Sequence, residues 1–224
     1  MRTIWRTTDP RLVRDVGALG VAVGAVGLSF GAIAVASGLP IGLAVAMSVL
    51  VFAGGSQFLA VGLIAAGSPV AAVVAGLLLN ARHLPFGLAL GDTLRARWRD
   101  RLIGAHLMVD ESVAFAMARV GTAERRRAYW STGITLFVVW NLGTVLGALL
   151  GSVGDPTRWG LDAAFPAGLL ALLLPSLRDR RTRAVATLGA VIAVVTTPLL
   201  PAGLPVLLAL AGLAALAVFR RQGG

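Results

Sequence analysis

Long apolar runs separated by short arginine-bearing stretches set the pattern of this chain. Apolar segments fall at 16–36, 41–66, 70–90, 130–150, 161–177, 184–200 and 204–219, and a shorter one, 102–118, lies between two basic stretches. About 20 apolar residues in helical form span the ~30 Å hydrocarbon core of a bilayer. The pattern therefore predicts an all-α, polytopic integral membrane protein. A transmembrane barrel requires strict alternation of apolar and polar residues, which these runs lack. From Ser37 to Ala81 no charged residue occurs, yet the centre of that run reads VFAGGSQFL. Gly54 and Gly55 loosen a helix through their backbone entropy, and Ser56 suits an N-cap for a fresh start. Segment 41–66 is thus expected to be broken. Broken helices persist at membrane depth only where protein or a water-filled cavity satisfies the freed backbone groups, and in transporters such breaks bind substrate.

The arginines act as a compass. They cluster at Arg2–Arg14, Arg95–Arg101, Arg119–Arg127 and Arg178–Arg183, with Arg220 and Arg221 at the end. Basic loops stay cytoplasmic, so an even number of crossings should separate successive clusters. Three apolar segments lie between Arg14 and Arg95, and the count closes if 41–66 dips in as two half-helices and returns. Segment 102–118 is long enough for one pass only, and the same constraint makes it re-entrant or interfacial. The expectation is one membrane domain over 1–224, with about six full spans, two broken or re-entrant segments and both termini cytoplasmic. Trp5, Trp98, Trp130 and Trp159 fall near the expected interfaces, as an aromatic belt would have them. Segment 16–36 exceeds the length of a signal-peptide core and reads as a retained span.

Composition narrows the chemistry. Apolar residues make up 57% of the 224 and charged residues only 13%, which is outside the soluble globular range. The net charge of +10 comes from arginine without a single lysine. Its placement beside apolar segments argues for a lipid bilayer and against nucleic acid. Without lysine there is no Schiff-base chemistry. Without cysteine there is no disulfide framework, thiolate nucleophile or thiolate metal site. The two histidines, His83 and His106, are too few for a histidine metal cluster, and neither metal nor cofactor is expected.

Polar groups at membrane depth are costly and mark function. Three clusters qualify: Ser48, Ser56 and Gln57 around the break; Asn80, Arg82 and His83 within 70–90; and Asp110, Glu111 and Ser112 in 102–118. A lone Arg82 would cost at least ~2.5 kcal/mol on insertion scales, so it calls for a carboxylate, either Asp110 or Glu111. The two acids are adjacent and point about 100° apart on a helix, so one can hold Arg82 while the other exchanges a proton. His83 can exchange a proton too, or serve as a structural histidine bonded to backbone. His106 and Asp92 rank lower, being close to loops. A zwitterionic amino acid would fit with its carboxylate on the N–H groups at Ser56–Phe58 and its ammonium on an acid. Its side chain would lie against Met47, Phe52 and Phe58.

The stretches FAGGSQF (52–58), NARHLPFGL (80–88) and DES (110–112) carry a resemblance, supported by GLSFGAIA (27–34), WNLGTVLGALLG (140–151) and AFPAGLLALLLP (164–175). Together they resemble the AzlC family, the large subunits of branched-chain amino-acid exporters. The resemblance implies secondary export of small hydrophobic amino acids across the bacterial cytoplasmic membrane and a small AzlD-like membrane partner. It leaves a homo-oligomer open. Substrate binding would then fall to Phe52, Gly54, Gly55, Ser56, Gln57, Phe58 and Asn80, and ion coupling to Arg82, His83, Asp110 and Glu111. The competing readings are an intramembrane enzyme built on Ser56, His83, Asp110 and Glu111, or a non-transporting scaffold. No nucleophile elbow, metal signature or cofactor loop supports an enzyme, and a scaffold has little reason to hold Arg82 and two acids at depth.

Overall fold

The computed structural model describes residues 10–94, 97–160, 176–200 and 204–213, together with positions 163, 167, 170 and 174. The described residues are helical with no strand. The helices are α1 (Pro10–Ala36), α2 (Ile41–Val51), α3 (Gly54–Ala65), α4 (Pro69–Asn80), α5 (His83–Ala89), α6 (Trp98–His106), α7 (Asp110–Met117), α8 (Thr122–Val153), α9 (Arg180–Thr196) and α10 (Leu204–Ala209). Three helical stretches, 10–36, 69–89 and 122–153, are long and apolar enough to cross a membrane. The chain is an all-α polytopic membrane protein, as its apolar pattern predicts. The expected span 161–177 lies largely outside the described residues, as do Arg2, Trp5, Arg6, Arg95 and the end of 204–219.

The spine is the pair α1 and α8, whose 27 and 32 residues make them the two longest helices. Lipid supplies no hydrophobic drive for helices to associate, so close backbone contact through small residues holds them. A Cβ on Gly27 would sit 2.7 Å from the Trp140 carbonyl oxygen, and one on Gly151 2.5 Å from that of Ala32. A Cβ on Gly31 would strike the Thr144 carbonyl, one on Gly143 the Gly24 carbonyl, and one on Gly147 the Leu28 carbonyl. The seam is therefore backbone against backbone over several turns. Beside it, Phe30 stacks on Trp140 (5.7 Å between centroids) and meets Phe58 edge-on (5.4 Å).

The break in 41–66 is present but displaced from where the sequence places it. The helix stops at Val51; Phe52 takes the left-handed conformation (φ 40°, ψ 53°) and Ala53 is extended (φ −144°, ψ 81°). Gly54 and Gly55 already belong to α3, and Ser56 is not its N-cap: the cap position is Ala53, and the Ser56 hydroxyl donates to the Ala53 carbonyl (2.9 Å). The glycines serve packing instead. A Cβ on Gly54 would lie 3.0 Å from the Trp140 ring, and one on Gly55 3.9 Å from Arg82 Nη2. Both halves touch α1, but α2 packs chiefly on α8 and α3 chiefly on α4.

Two further interruptions appear. The expected span 70–90 is nicked at Ala81–Arg82, where both residues keep right-handed helical angles and the chain bends without reversing. The expected single segment 102–118 is two helices, α6 and α7, parted at Leu107–Val109. Val109 is extended (φ −133°, ψ 163°), and its N–H donates to Ser112 Oγ (3.0 Å). A serine that accepts from the backbone N–H three residues before it favours a helix start over continuation.

Candidate functional site

The break leaves backbone groups that a continuous helix would pair. In an unbroken helix the Ala53 N–H would reach the Val49 carbonyl. Instead it donates to the side-chain oxygen of buried Gln57 (3.1 Å). The Val49 carbonyl is met from another helix by His106 Nε2 (2.8 Å). A carbonyl only accepts, so that nitrogen carries the proton. The His106 ring also lies edge-on to Phe137 (5.6 Å) and near Phe52 (6.3 Å), and Phe52 in turn meets Phe137 at 5.0 Å. Gln57 and His106 thus pair two of the backbone groups that the break leaves open. Replacing His106 with phenylalanine keeps the ring and removes the donor. We expect a thermal destabilisation of about 1 kcal/mol, the net worth of one hydrogen bond, partly restored by glutamine and read from melting of the purified protein in detergent.

A left-handed, non-glycine residue is strained by about 1–3 kcal/mol, and here it is Phe52, 4% exposed in the aromatic cluster. Its ring packs with Phe30, Leu136 and Trp140, while Met47 and Phe58 lie against the same cluster. The three apolar side chains expected to receive an aliphatic group are therefore gathered in one place. Ser48 donates to Asn141 Oδ1 (2.8 Å) and shares a hydrogen bond with the Thr144 hydroxyl (3.1 Å), which ties α2 to α8.

The second element is the ion pair. Arg82 Nη1 lies 2.6 Å from Asp110 Oδ2. Of the two acids that sequence allowed, Asp110 is the partner, and Glu111 stands beside it within electrostatic reach of both Asp110 and Arg82. The pair is half-exposed, with side chains 35% and 45% accessible, where the sequence predicts burial. The reason is its place: Arg82 lies in the nick between α4 and α5 and Asp110 begins α7, so both sit at helix junctions and not within a packed interface. The α7 terminus suits Asp110, since a helix N-terminus favours anions. The scaffold that presents Asp110 is specific. Ser112 caps α7 and is itself fully buried. Gly133 lets Leu107 approach α8, and buried Tyr129 donates to the Gly104 carbonyl (2.5 Å) to hold α6.

Gly55 joins the two elements, since it abuts Arg82. Around this junction five buried polar atoms have no partner: the donors Gln57 Nε2, Arg82 Nε and Trp140 Nε1, and the acceptors Asn80 Oδ1 and Asp110 Oδ1. Unpaired buried polar atoms are rare and call for an explanation. Unpaired donors beside unpaired acceptors complement a molecule bearing both a carboxylate and an ammonium group. The start of α3 at Gly54 moves the free N-terminal N–H groups to Gly54–Ser56, because the Gln57 N–H already donates to the Ala53 carbonyl (3.0 Å). The sequence places this carboxylate seat two residues later, at Ser56–Phe58. His83 faces away from the pair: its Nδ1 donates to the Asn80 carbonyl (2.8 Å), and its ring meets Phe86. His106, ranked lower in the sequence as close to a loop, bonds the Val49 carbonyl. Its only signal was a histidine four residues before the acidic pair, and nothing in the sequence announced a carbonyl 57 residues away.

Comparison with known proteins places these features in a family. The family model described as "AzlC protein" matches residues 18–153. An uncharacterized membrane protein of Helicobacter pylori is 30% identical over 186 residues, covering 80% of this chain and 81% of its own length. The branched-chain amino acid transport protein AzlC of Bacillus subtilis is 28% identical over 131 residues, 57% of this chain and 52% of that protein. The inner membrane protein YgaZ of Escherichia coli is 32% identical over 146 residues, 60% of this chain and 55% of that protein. No solved structure matches the chain significantly.

Proposed function

The chain belongs to the AzlC family, and from that premise we propose that it is a secondary transporter exporting small hydrophobic, branched-chain amino acids across the cytoplasmic membrane with proton coupling. A role in membrane transport follows from the family and from the named transport relative. The substrate class, the direction and the coupling are our reading. The observation that carries it is the junction of the α2–α3 break with the Arg82–Asp110 pair, where buried donors and acceptors stand unpaired at an aromatic cluster.

In this reading the substrate carboxylate sits at the N–H groups of Gly54–Ser56 and on Gln57 Nε2, favoured by the positive end of α3. The ammonium faces Asp110 Oδ1 and Asn80 Oδ1, and the aliphatic group lies against Met47, Phe52 and Phe58. Glu111 exchanges the proton while Asp110 holds Arg82, and the competition of substrate ammonium with Arg82 for Asp110 couples the two. His83 keeps a free Nε2 and stands as a secondary proton acceptor. The whole of 1–224 acts as one transporter domain with both termini cytoplasmic, supported by the basic clusters at its two ends. A small AzlD-like subunit completes the transporter. The wide apolar face of α4, with Val70 76% and Leu77 69% exposed, is surface that lipid or such a subunit must cover. No enzymatic role is proposed.

The test is efflux of preloaded radiolabelled leucine, isoleucine, valine and methionine from cells expressing the chain with and without an AzlD-like partner. We expect efflux that requires this chain, rises with the partner and collapses when a protonophore is added. Absence of efflux from protein shown to reside in the membrane would overturn the substrate assignment, and efflux indifferent to the protonophore would overturn the coupling.

A further inference from the structure

Outside this site, α5, α6 and the turn between them enclose an open cleft of about 460 Å³, lined by Gly87, Gly91, Leu94, Trp98, Arg101, Leu102, Ala105 and Met108. Its volume falls within the ~300–1,000 Å³ of small-ligand sites, and Arg101 is the one charged group in an otherwise apolar lining. The cleft has the marks of the membrane surface. Trp98 is 66% exposed at its mouth, as interfacial tryptophans are, and Arg99 lies over the Trp98 ring at 5.5 Å. Arg97, Arg99 and Arg101 are all exposed. Asp100, the acid among them, is engaged by Arg126 at 3.7 Å. A positive mouth over an apolar slot demands an occupant with the opposite polarity at one end and hydrocarbon at the other. A soluble anion would leave the slot unfilled, and a purely apolar occupant would leave Arg101 without an anion.

We propose that this cleft binds one anionic membrane phospholipid, its acyl chain between Gly91 and Ala105 and its phosphate on Arg101. Glycines at 87 and 91 leave the slot open: a Cβ on Gly87 would meet nothing within 4 Å, and one on Gly91 only ordinary contacts with the α5 backbone at 3.5 Å or beyond. The lipid would fix α5 against α6, and through them the ends of the elements that carry Arg82 and Asp110.

The test uses the full chain in phosphatidylcholine vesicles and reads Trp98 emission as the difference between the chain and its W98F variant. Phosphatidylglycerol brominated in the acyl chain is added in increments, with brominated phosphatidylcholine in parallel. Expected is quenching at about fivefold lower mole fraction of the anionic lipid, the effect of one arginine near an anionic surface. R101Q should erase that preference while leaving residual quenching, and A105F, which fills the slot, should remove quenching by either lipid. Both positions are exposed on α6, so neither change touches the core, and circular dichroism of each variant verifies the fold. Equal quenching by the two lipids, or no response to R101Q and A105F, would overturn the proposal. So would displacement by inorganic phosphate, which would mean a free-anion site, or loss of quenching whenever a small membrane subunit is co-reconstituted, which would assign the cleft to protein.

Discussion

Replacing Asp110 with asparagine should reduce amino-acid efflux at least tenfold while the protein still reaches the membrane. Asparagine keeps the shape of Asp110 and can still accept from Arg82 Nη1, now 2.6 Å away, but it cannot neutralise the guanidinium. A lone arginine at the bilayer centre costs about 2.5 kcal/mol on insertion scales. The pair here is half-exposed, so part of that cost is relieved by water or headgroups. A loss of roughly 1.4 kcal/mol, tenfold in any equilibrium, is the lower bound. Glu111→Gln separates the roles, because it leaves the Arg82–Asp110 pair in place. It should permit substrate-for-substrate exchange and abolish the response to a pH gradient. The double change R82Q/D110N removes both charges. It should restore abundance if the pair were only a packing device, yet remain inactive if Asp110 also meets the substrate. Normal proton-driven efflux in both D110N and E111Q would end the ion-coupling assignment.

The second large effect is predicted far from any chemistry. Gly147→Val should cost roughly 3 kcal/mol or more, at the upper end of what overpacking a tight interior costs. Its Cβ would strike the Leu28 carbonyl, where backbone on both sides leaves no flexible side chain to move. Gly31 and Gly143 face Thr144 and Gly24 in the same way, so the three positions should behave alike. Gly42→Ala is the control: nothing lies within 4 Å of its Cβ, and inside α2 the change should stabilise by up to ~1 kcal/mol through helix propensity. Fluorescence-detected gel filtration after a temperature ramp distinguishes the two, with the valine variant aggregating at the lower temperature. Unchanged melting of Gly147→Val would mean that α1 and α8 do not approach as described.

These two predictions rest on different kinds of legibility. The acidic pair, Arg82, and the broken 41–66 segment were readable because each violates the composition around it: charge or small polar residues inside hydrocarbon-length apolar runs. That Arg82 needs an acid follows from the cost of an unpaired charge, and the candidates were few. The glycine seam was less legible. Glycines are scattered through the apolar runs of this chain, and only helices already placed side by side reveal that those at 27, 31, 143, 147 and 151 meet a backbone while Gly42 and Gly62 meet nothing.

By itself the sequence determined the all-α membrane class, the existence of a break near 51–59, the need of Arg82 for a carboxylate and the resemblance that carries the family. The hydrophobic length and the expense of isolated charge are local properties, and they act before any helix finds its neighbour. Tertiary structure decided the rest. It chose Asp110 over Glu111: Arg82 Nη1 lies 2.6 Å from the Oδ2 of Asp110, the first residue of α7. It moved the break to Phe52–Ala53, where Gln57 and His106 take up the Ala53 N–H and the Val49 carbonyl. It turned Gly54 and Gly55 from helix breakers into contact surfaces for Trp140 and Arg82. Each of these outcomes depends on which backbone group lacks a partner once distant helices are packed, and a linear pattern does not carry that information.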